Sequence, residues 1–340
     1  GHRARGNILY VLLGKCLPVP PPSFDSMLRK GLAPRGPIRA MATNIQSIEK
    51  IGVIGLGLMG SGIAQACASG APQSYQVVAI ESSEDALSLG KARVESSVSE
   101  MAKKAVERGK MTAERADEKV ESILSRLSYD TDKGALADCD MTIEAIVENI
   151  DVKLPFYEDL GRITKPSCIL ASNTSSLKIE HMALASGRPE RVVGLHFFNP
   201  VQLMKLVEVV KTDLTDHAVF SDCLDWVQSI GKHAVSCSDT PGFIVNRLLV
   251  PALAQGMLMV DRGDASIPDI DKSMELGAGH PMGPLTLADY VGLDTCLAIL
   301  QGWVEQYPEE KAFVVPECLK IKVAAAGKLG RKSGEGFYRW

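Results

Sequence analysis

The sequence predicts an α/β fold: a doubly wound sheet with an inserted helical hairpin, followed by an all-helical C-terminal domain. Three observations predict it. Short apolar runs alternate with helical stretches from residue 48 to residue 237, a glycine-rich turn separates the first run from the first helix, and strand signals stop at Asp239.

The first apolar run is Lys50-Ile-Gly-Val-Ile54. It ends in Gly55-Leu-Gly57-Leu-Met-Gly60-Ser-Gly62, after which residues 63–69 read as helix. Gln76-Val-Val-Ala-Ile80 is a second buried-strand run, closed by Glu81. Strand, glycine turn, helix, strand and acid are the order of a Rossmann-type dinucleotide fold. Residues 84–127 are charged and Ala-rich without strand signals, which predicts two amphipathic helices joined near Gly109. Strand-like runs return at 141–145, 168–171, 192–197 and 206–210, with a last short one at 234–237. Asp239-Thr240-Pro241 reads as a cap with Pro at the first helical position, opening a helix to Arg262 that Gly263 stops. Further helices are predicted over 267–276, 285–303 and 316–326. The expected division is a leader over 1–47, a dinucleotide-binding domain over 48–238 and a helical domain over 239–340.

Composition narrows the function. With 46% hydrophobic and 23% charged residues, the chain is composed like a soluble globular protein, and no apolar run reaches the roughly 18 residues of a membrane span. No membrane partner is expected. Seven Lys/Arg and one Asp put +6 on residues 1–40; with −4 over the whole chain, residues 41–340 carry −10. An acidic body cannot neutralise phosphates along a backbone, which argues against nucleic acid as a partner. The basic, Pro-rich leader fits a transit peptide and hence the mitochondrial matrix. It also fits upstream sequence outside the mature protein, since the chain opens on Gly and Met41 stands just before the ordered pattern; the cytoplasm is then expected. The eight cysteines show neither C-x-x-C nor zinc-type Cys/His spacing, so reduced thiols and no metal site are expected.

Two regions carry chemistry. In the glycine turn, Gly55 makes the tight bend, Gly57 lets backbone approach a pyrophosphate, and Gly60 lets helix pack on strand. The helix N-terminus supplies N–H groups and the positive dipole end, and Leu58 and Met59 in the turn are further expected cofactor contacts. Glu81 lies 24 residues past Gly57, a little beyond the usual ~20, and the loop Ala71-Pro-Gln-Ser74 accounts for the excess. Its carboxylate suits ribose hydroxyls and repels a 2′-phosphate, so NAD is the expected cofactor; the plainer reading is an exposed strand-end acid. Further on, Ser172-Asn-Thr-Ser-Ser176 follows a buried strand, and His196-Phe-Phe-Asn-Pro200 ends another. If the next strand folds back near Gln202, Glu208 stands opposite His196, about 5 Å away between Cβ atoms. A carboxylate beside a His fixes its tautomer and makes it a general base. An isolated strand-end His is more often structural, but a carboxylate breaking an apolar strand needs a partner.

Together these motifs resemble the L-3-hydroxyacyl-CoA dehydrogenases over residues 48–338. The resemblance is carried by the glycine turn through Gln65, Glu144-Ala-Ile-Val-Glu-Asn149, Ala171-Ser-Asn-Thr-Ser-Ser-Leu177, His196-Phe-Phe-Asn-Pro200, Leu206-Val-Glu-Val209 and Asp239-Thr-Pro-Gly-Phe-Ile-Val-Asn-Arg247. Leu276-Gly-Ala-Gly279 and Gly336-Phe-Tyr338 follow in order. It implies NAD-dependent oxidation of the 3-hydroxyl of an acyl-CoA thioester, with His196 as base and Glu208 orienting it. It implies that Ser175 and Asn246 hydrogen-bond the substrate oxygen or position the nicotinamide and thioester. Glu148, Lys153, Asn173 and Asn199 match cofactor-contacting positions, and Ser97 and Lys104 match positions that hold CoA. Lys103 serves the last role equally, and a solvated helix charge is the plainer reading. A homodimer through the helical domain is also implied, as is a cleft between the domains, because Asn246 and His196 come from different ones. Three departures stand out: Glu81 where many relatives have Asp, the Ala71–Ser74 loop, and Pro155, expected in the first turn of a helix. Two other readings stay open: a sugar-acid 3-dehydrogenase of the same fold, and a non-catalytic NAD-binding relative.

Overall fold

The computed structural model describes residues 48–324 and 327–340; the leader of residues 1–47 lies outside them. In chain order the elements are β1 (Lys50–Ile54), α1 (Leu58–Ser69), β2 (Gln76–Ile80), α2 (Glu84–Glu107), α3 (Ala113–Leu124), β3 (Leu127–Asp130), β4 (Met141–Glu144), α4 (Ile150–Ile163), β5 (Ile169–Ser172), α5 (Ile179–Ala185), β6 (Val192–Phe197), β7 (Leu206–Lys211), α6 (His217–Ser229) and β8 (His233–Ser238). Only helices follow: α7 (Val245–Arg262), α8 (Ile267–Gly277), α9 (Pro284–Val291), α10 (Leu293–Gln306) and α11 (Glu317–Ala324), with short 3₁₀ turns between elements.

The strands form one sheet in the order β3-β2-β1-β4-β5-β6-β7-β8. All neighbours are parallel except β6 and β7, which fold back on each other as the spacing of His196 and Glu208 predicts. β4, β5 and β6 are buried along their whole length, as strands covered on both faces must be. Ile63 and Cys67 of α1 and Val227 of α6 pack on one face; Tyr157 and Leu160 of α4 and Met182 of α5 pack on the other. A third core, including Leu253, Leu285 and Leu300, holds the helical part together. The insert between β2 and β3 is the expected helical hairpin: Ser83 caps α2, Thr112 caps α3, and Gly109 lies in the connection.

Four expectations need correcting. β3 was hidden in the tail of the charged stretch; it is a four-residue edge strand with alternating exposure, too short to interrupt a helical pattern. The helix expected from Asp239 begins only at Val245. Asp239 caps a different helix, its carboxylate accepting from the N–H groups of Ile179 (3.1 Å) and Glu180 (2.9 Å) at the start of α5. The helix expected over 285–303 is two, broken at Gly292, whose φ of +102° no helix accommodates. Pro155 stands in the second turn of α4 rather than its first, so one i→i−4 bond is missing there.

Candidate active site

β1 delivers the chain into the glycine turn. Gly55 takes φ +87°, and a Cβ there would lie 2.7 Å from the Ala145 carbonyl oxygen. A Cβ on Gly60 would lie within bonding range of the Gly55 carbonyl, so α1 approaches β1 at a distance only glycine allows. Gly57 differs: a Cβ there meets nothing within 4 Å. Its lack of a side chain therefore keeps space open in front of the N-terminus of α1, where the first N–H groups have no helical partner. That open cradle, bounded by Leu58 (64% exposed) and by Met59, fits the diphosphate of a dinucleotide. Glu81 closes β2 beside it, its Oε1 accepting from the Leu56 N–H at 2.5 Å and its Oε2 from Ser82 N–H at 3.1 Å. The carboxylate is thus anchored on the turn itself.

The strand ends then bring the other residues together. A cleft of about 370 Å³ is lined by Met59, Glu148, Lys153, Asn173, Ser175, His196, Asn199 and Asn246, with Ala145, Ile146, Phe197 and Phe198. His196 and Glu208 are register partners across β6 and β7, and His196 Nδ1 lies 2.6 Å from Glu208 Oε2. An ionised carboxylate only accepts, so Nδ1 carries the hydrogen and Nε2 is left as the acceptor. The other oxygen of Glu208 accepts from the N–H groups of Ile244 (3.1 Å) and Val245 (2.8 Å), at the start of α7. One fully buried carboxylate therefore orients the imidazole and caps the helix that carries Asn246. The imidazole lies between the rings of Phe198 (4.5 Å) and Phe243 (5.6 Å). Phe243 has φ +53°, the only non-glycine positive φ among the described residues. That left-handed turn aims the two N–H groups behind it at Glu208.

On the other side of the cleft, Lys153 is 1% exposed, its ammonium 2.9 Å from both Glu144 and Glu148. Glu148 Oε1 accepts from Thr174 Oγ1 (2.6 Å), Ser175 N–H (3.0 Å) and Ser176 Oγ (3.1 Å), which fixes the loop presenting Ser175. Burial works to raise the Glu148 carboxyl, but the Lys153 charge and these hydrogen bonds outweigh it and hold it below the usual range. Asn173 Oδ1 accepts from Phe197 N–H at 2.9 Å and so ties the ends of β5 and β6.

Ser97 and Lys104 do not line this cleft. Ser97 Oγ accepts from Gln202 Nε2 (3.3 Å), in the β6–β7 connection. Lys104 lies seven residues along α2, about 10 Å further, exposed and 3.5 Å from Glu100. Two contributors carried no role in the sequence reading. Glu144 ends an apolar strand as Glu208 interrupts one, and that signal was present; Phe243 offered none, because its backbone conformation is invisible in a residue type. Among the described residues no group of three His, Cys, Asp or Glu can hold a metal.

Residues 50–240 match the family model described as the NAD binding domain of 3-hydroxyacyl-CoA dehydrogenase, and residues 242–340 match the model of its C-terminal domain. The chain belongs to the 3-hydroxyacyl-CoA dehydrogenase family. It is 48% identical over 296 residues to the mitochondrial hydroxyacyl-coenzyme A dehydrogenase of Rattus norvegicus, covering 86% of this chain and 91% of that one. A probable 3-hydroxybutyryl-CoA dehydrogenase of Deinococcus radiodurans is 44% identical over 291 residues, covering 86% and 100%. Among solved structures, (S)-3-hydroxybutyryl-CoA dehydrogenase from Ralstonia eutropha superposes with a TM-score of 0.80 at 36% identity, covering 86% of this chain and 99% of that one.

Proposed function

We propose that this protein oxidises the 3-hydroxyl of an (S)-3-hydroxyacyl-CoA to the 3-oxo thioester, with NAD as acceptor and His196 as base. The observation that carries the reading is the 2.6 Å His196–Glu208 pair, buried at the wall of a cleft that begins at the glycine turn. NAD would be held at the open cradle by Gly57 and the N-terminus of α1 and would supply the acceptor for the hydride of C3. The chain supplies the rest. Nε2 of His196 accepts the hydroxyl proton, and the imidazolium so formed faces the Glu208 carboxylate, which keeps it in place. Ser175 and Asn246 line the same cleft and are suited to hold the substrate oxygen and the thioester. Glu148, held by Lys153, positions the Ser175 loop; Asn173 and Asn199 border the cofactor end. Ser97 and Lys104 lie outside the cleft on one face of α2, placed for the distal part of CoA. A lysine there matches the charge of a CoA phosphate.

Absorbance loss of NADH on adding acetoacetyl-CoA tests the reading, with wild type beside His196→Ala. Turnover should fall about 10²–10⁴-fold in the variant while NADH still binds; equal turnover in both would remove His196 from the chemistry. Gly57→Ala isolates the cofactor. Its Cβ meets no protein atom, so the fold should persist while NADH affinity drops.

Assembly as a homodimer through the helical part is supported by apolar side chains exposed there, Leu248 (70%), Leu276 (74%) and Ile321 (59%). Sedimentation as a monomer at all concentrations would refute it. The basic leader and the mitochondrial relatives support a place in the mitochondrial matrix. No described helix is long and apolar enough to cross a membrane.

A further inference from the structure

A second cavity, larger than the catalytic cleft, takes no part in this chemistry. It measures about 560 Å³, within the roughly 300–1,000 Å³ of small-molecule sites, and shares no residue with the cleft. It lies between α1, the α2–α3 hairpin, the β6–β7 connection and the end of α6. Its walls are largely aliphatic, with Ala66, Val98, Met101, Ala105, Val120 and Ile230 among them.

Apart from three lysines, the side-chain donors that line the cavity are largely engaged within the protein. Gln202 Nε2 donates to Gln65 Oε1 (3.0 Å), and Ser69 Oγ donates to the Gln65 carbonyl (2.6 Å). Lys232 Nζ donates to the carbonyls of Val201 (2.6 Å) and Met204 (2.8 Å). Three lysines on the lining, Lys110, Lys119 and Lys205, have no carboxylate partner among the described residues, and no Asp or Glu lines the cavity. In a chain whose residues 41–340 carry −10, a site with four lysines and no acid is a local reversal of sign. The face it uses also differs from that of the CoA-matching pair. On α2 the cavity is lined by Val98, Met101, Ala102 and Ala105, about a quarter-turn around the helix from Ser97 and Lys104.

We propose that this cavity binds an amphiphilic anion, with an aliphatic chain among the apolar walls and an acidic head at Lys110, Lys119 and Lys205. A free medium-chain carboxylate is the source that fits best. A nucleotide base needs paired donors and acceptors along its edge, whereas a saturated chain needs none and suits the largely aliphatic walls. An acyl-CoA shares the anionic and aliphatic chemistry, and the experiment separates the two.

Decanoate is titrated into the full chain by calorimetry, alongside octanoate and decanol. The expected result is one saturable site per chain, about tenfold weaker for octanoate because two CH₂ groups are lost, and little binding of decanol. Lys119→Glu with Lys205→Glu should weaken decanoate at least tenfold, as should Ala105→Phe, which fills the wall. Acetoacetyl-CoA turnover should stay within twofold in both variants, which also reports that they fold. Displacement of decanoate by acetoacetyl-CoA would assign the binding to the substrate's own site and overturn the proposal. So would no saturable decanoate binding, equal binding of decanol, or unchanged affinity in the charge-reversed variant.

Discussion

The carboxylates around the cleft are of unlike character: Glu144 and Glu208 are fully buried, whereas Glu148 is partly exposed. Under the Ser175 loop, Glu144 and Glu148 share one buried ammonium, Lys153, and their remaining oxygen valences go to hydroxyls and backbone N–H groups. Behind His196, Glu208 has no lysine or arginine partner among the described residues; it faces two backbone N–H groups and an imidazole. The first arrangement has a fixed cation, one ammonium shared by two carboxylates. The second has no fixed cation: its partners are an imidazole and two backbone N–H groups.

The comparison can be broken side by side. Lys153→Met should have the largest effect on folding, about 3–5 kcal/mol, because it leaves two carboxylates without their cation; urea unfolding would measure it. A loss below 1 kcal/mol would mean the carboxylates find other partners. Glu208→Gln should act the other way, lowering kcat about 10²-fold while moving the unfolding midpoint little, since an amide oxygen still caps α7. Equal losses in both variants, or stability losses without kinetic ones at Glu208, would erase the distinction.

A smaller test concerns Phe243. At φ +53° a Cβ is strained, so Phe243→Ala should be less stable than Phe243→Gly by about 1 kcal/mol, reversing the usual order of the two residues. The smallest is a matter of pH. The Glu148 carboxyl lies below its ordinary value, so its contribution to stability is present above about pH 4.3 and is lost as pH falls through the lower folded-state value. Glu148→Gln should therefore flatten the acid limb of the stability curve, read as unfolding midpoint against pH. An unchanged limb would place the acid sensitivity elsewhere.

Much of this was legible in the residues. Pattern alone gave β1, the glycine turn, the 63–69 part of α1 and β2, because apolar runs and glycines are local signals; α1 starts earlier, at Leu58, within the glycine turn. The pairing of His196 with Glu208 followed from counting across a hairpin, since side chains alternate along strands. What escaped was non-local or conformational. Asp239 looks like the cap of the helix that follows it, yet it caps α5, sixty residues earlier in sequence, a choice that only tertiary packing decides. Lys153 reads as a charged helix residue, and only the fold shows it 1% exposed between two acids. The break at Gly292 left one glycine inside an apolar run, where a continuous helix tolerates it as readily as a turn uses it.

The double duty of Glu208 has a consequence for how the enzyme fails when heated. The His196 imidazole owes its orientation to a carboxylate whose second oxygen is bonded to the first turn of α7. If the helices beyond Val245 melt before the sheet, those two amides leave, and the imidazole loses its alignment although every strand around it is intact. Activity should then disappear at the melting of the helical part, and NADH should go on binding to the surviving sheet until a higher temperature. Heat-inactivated molecules of this kind would keep the cofactor while no longer using it.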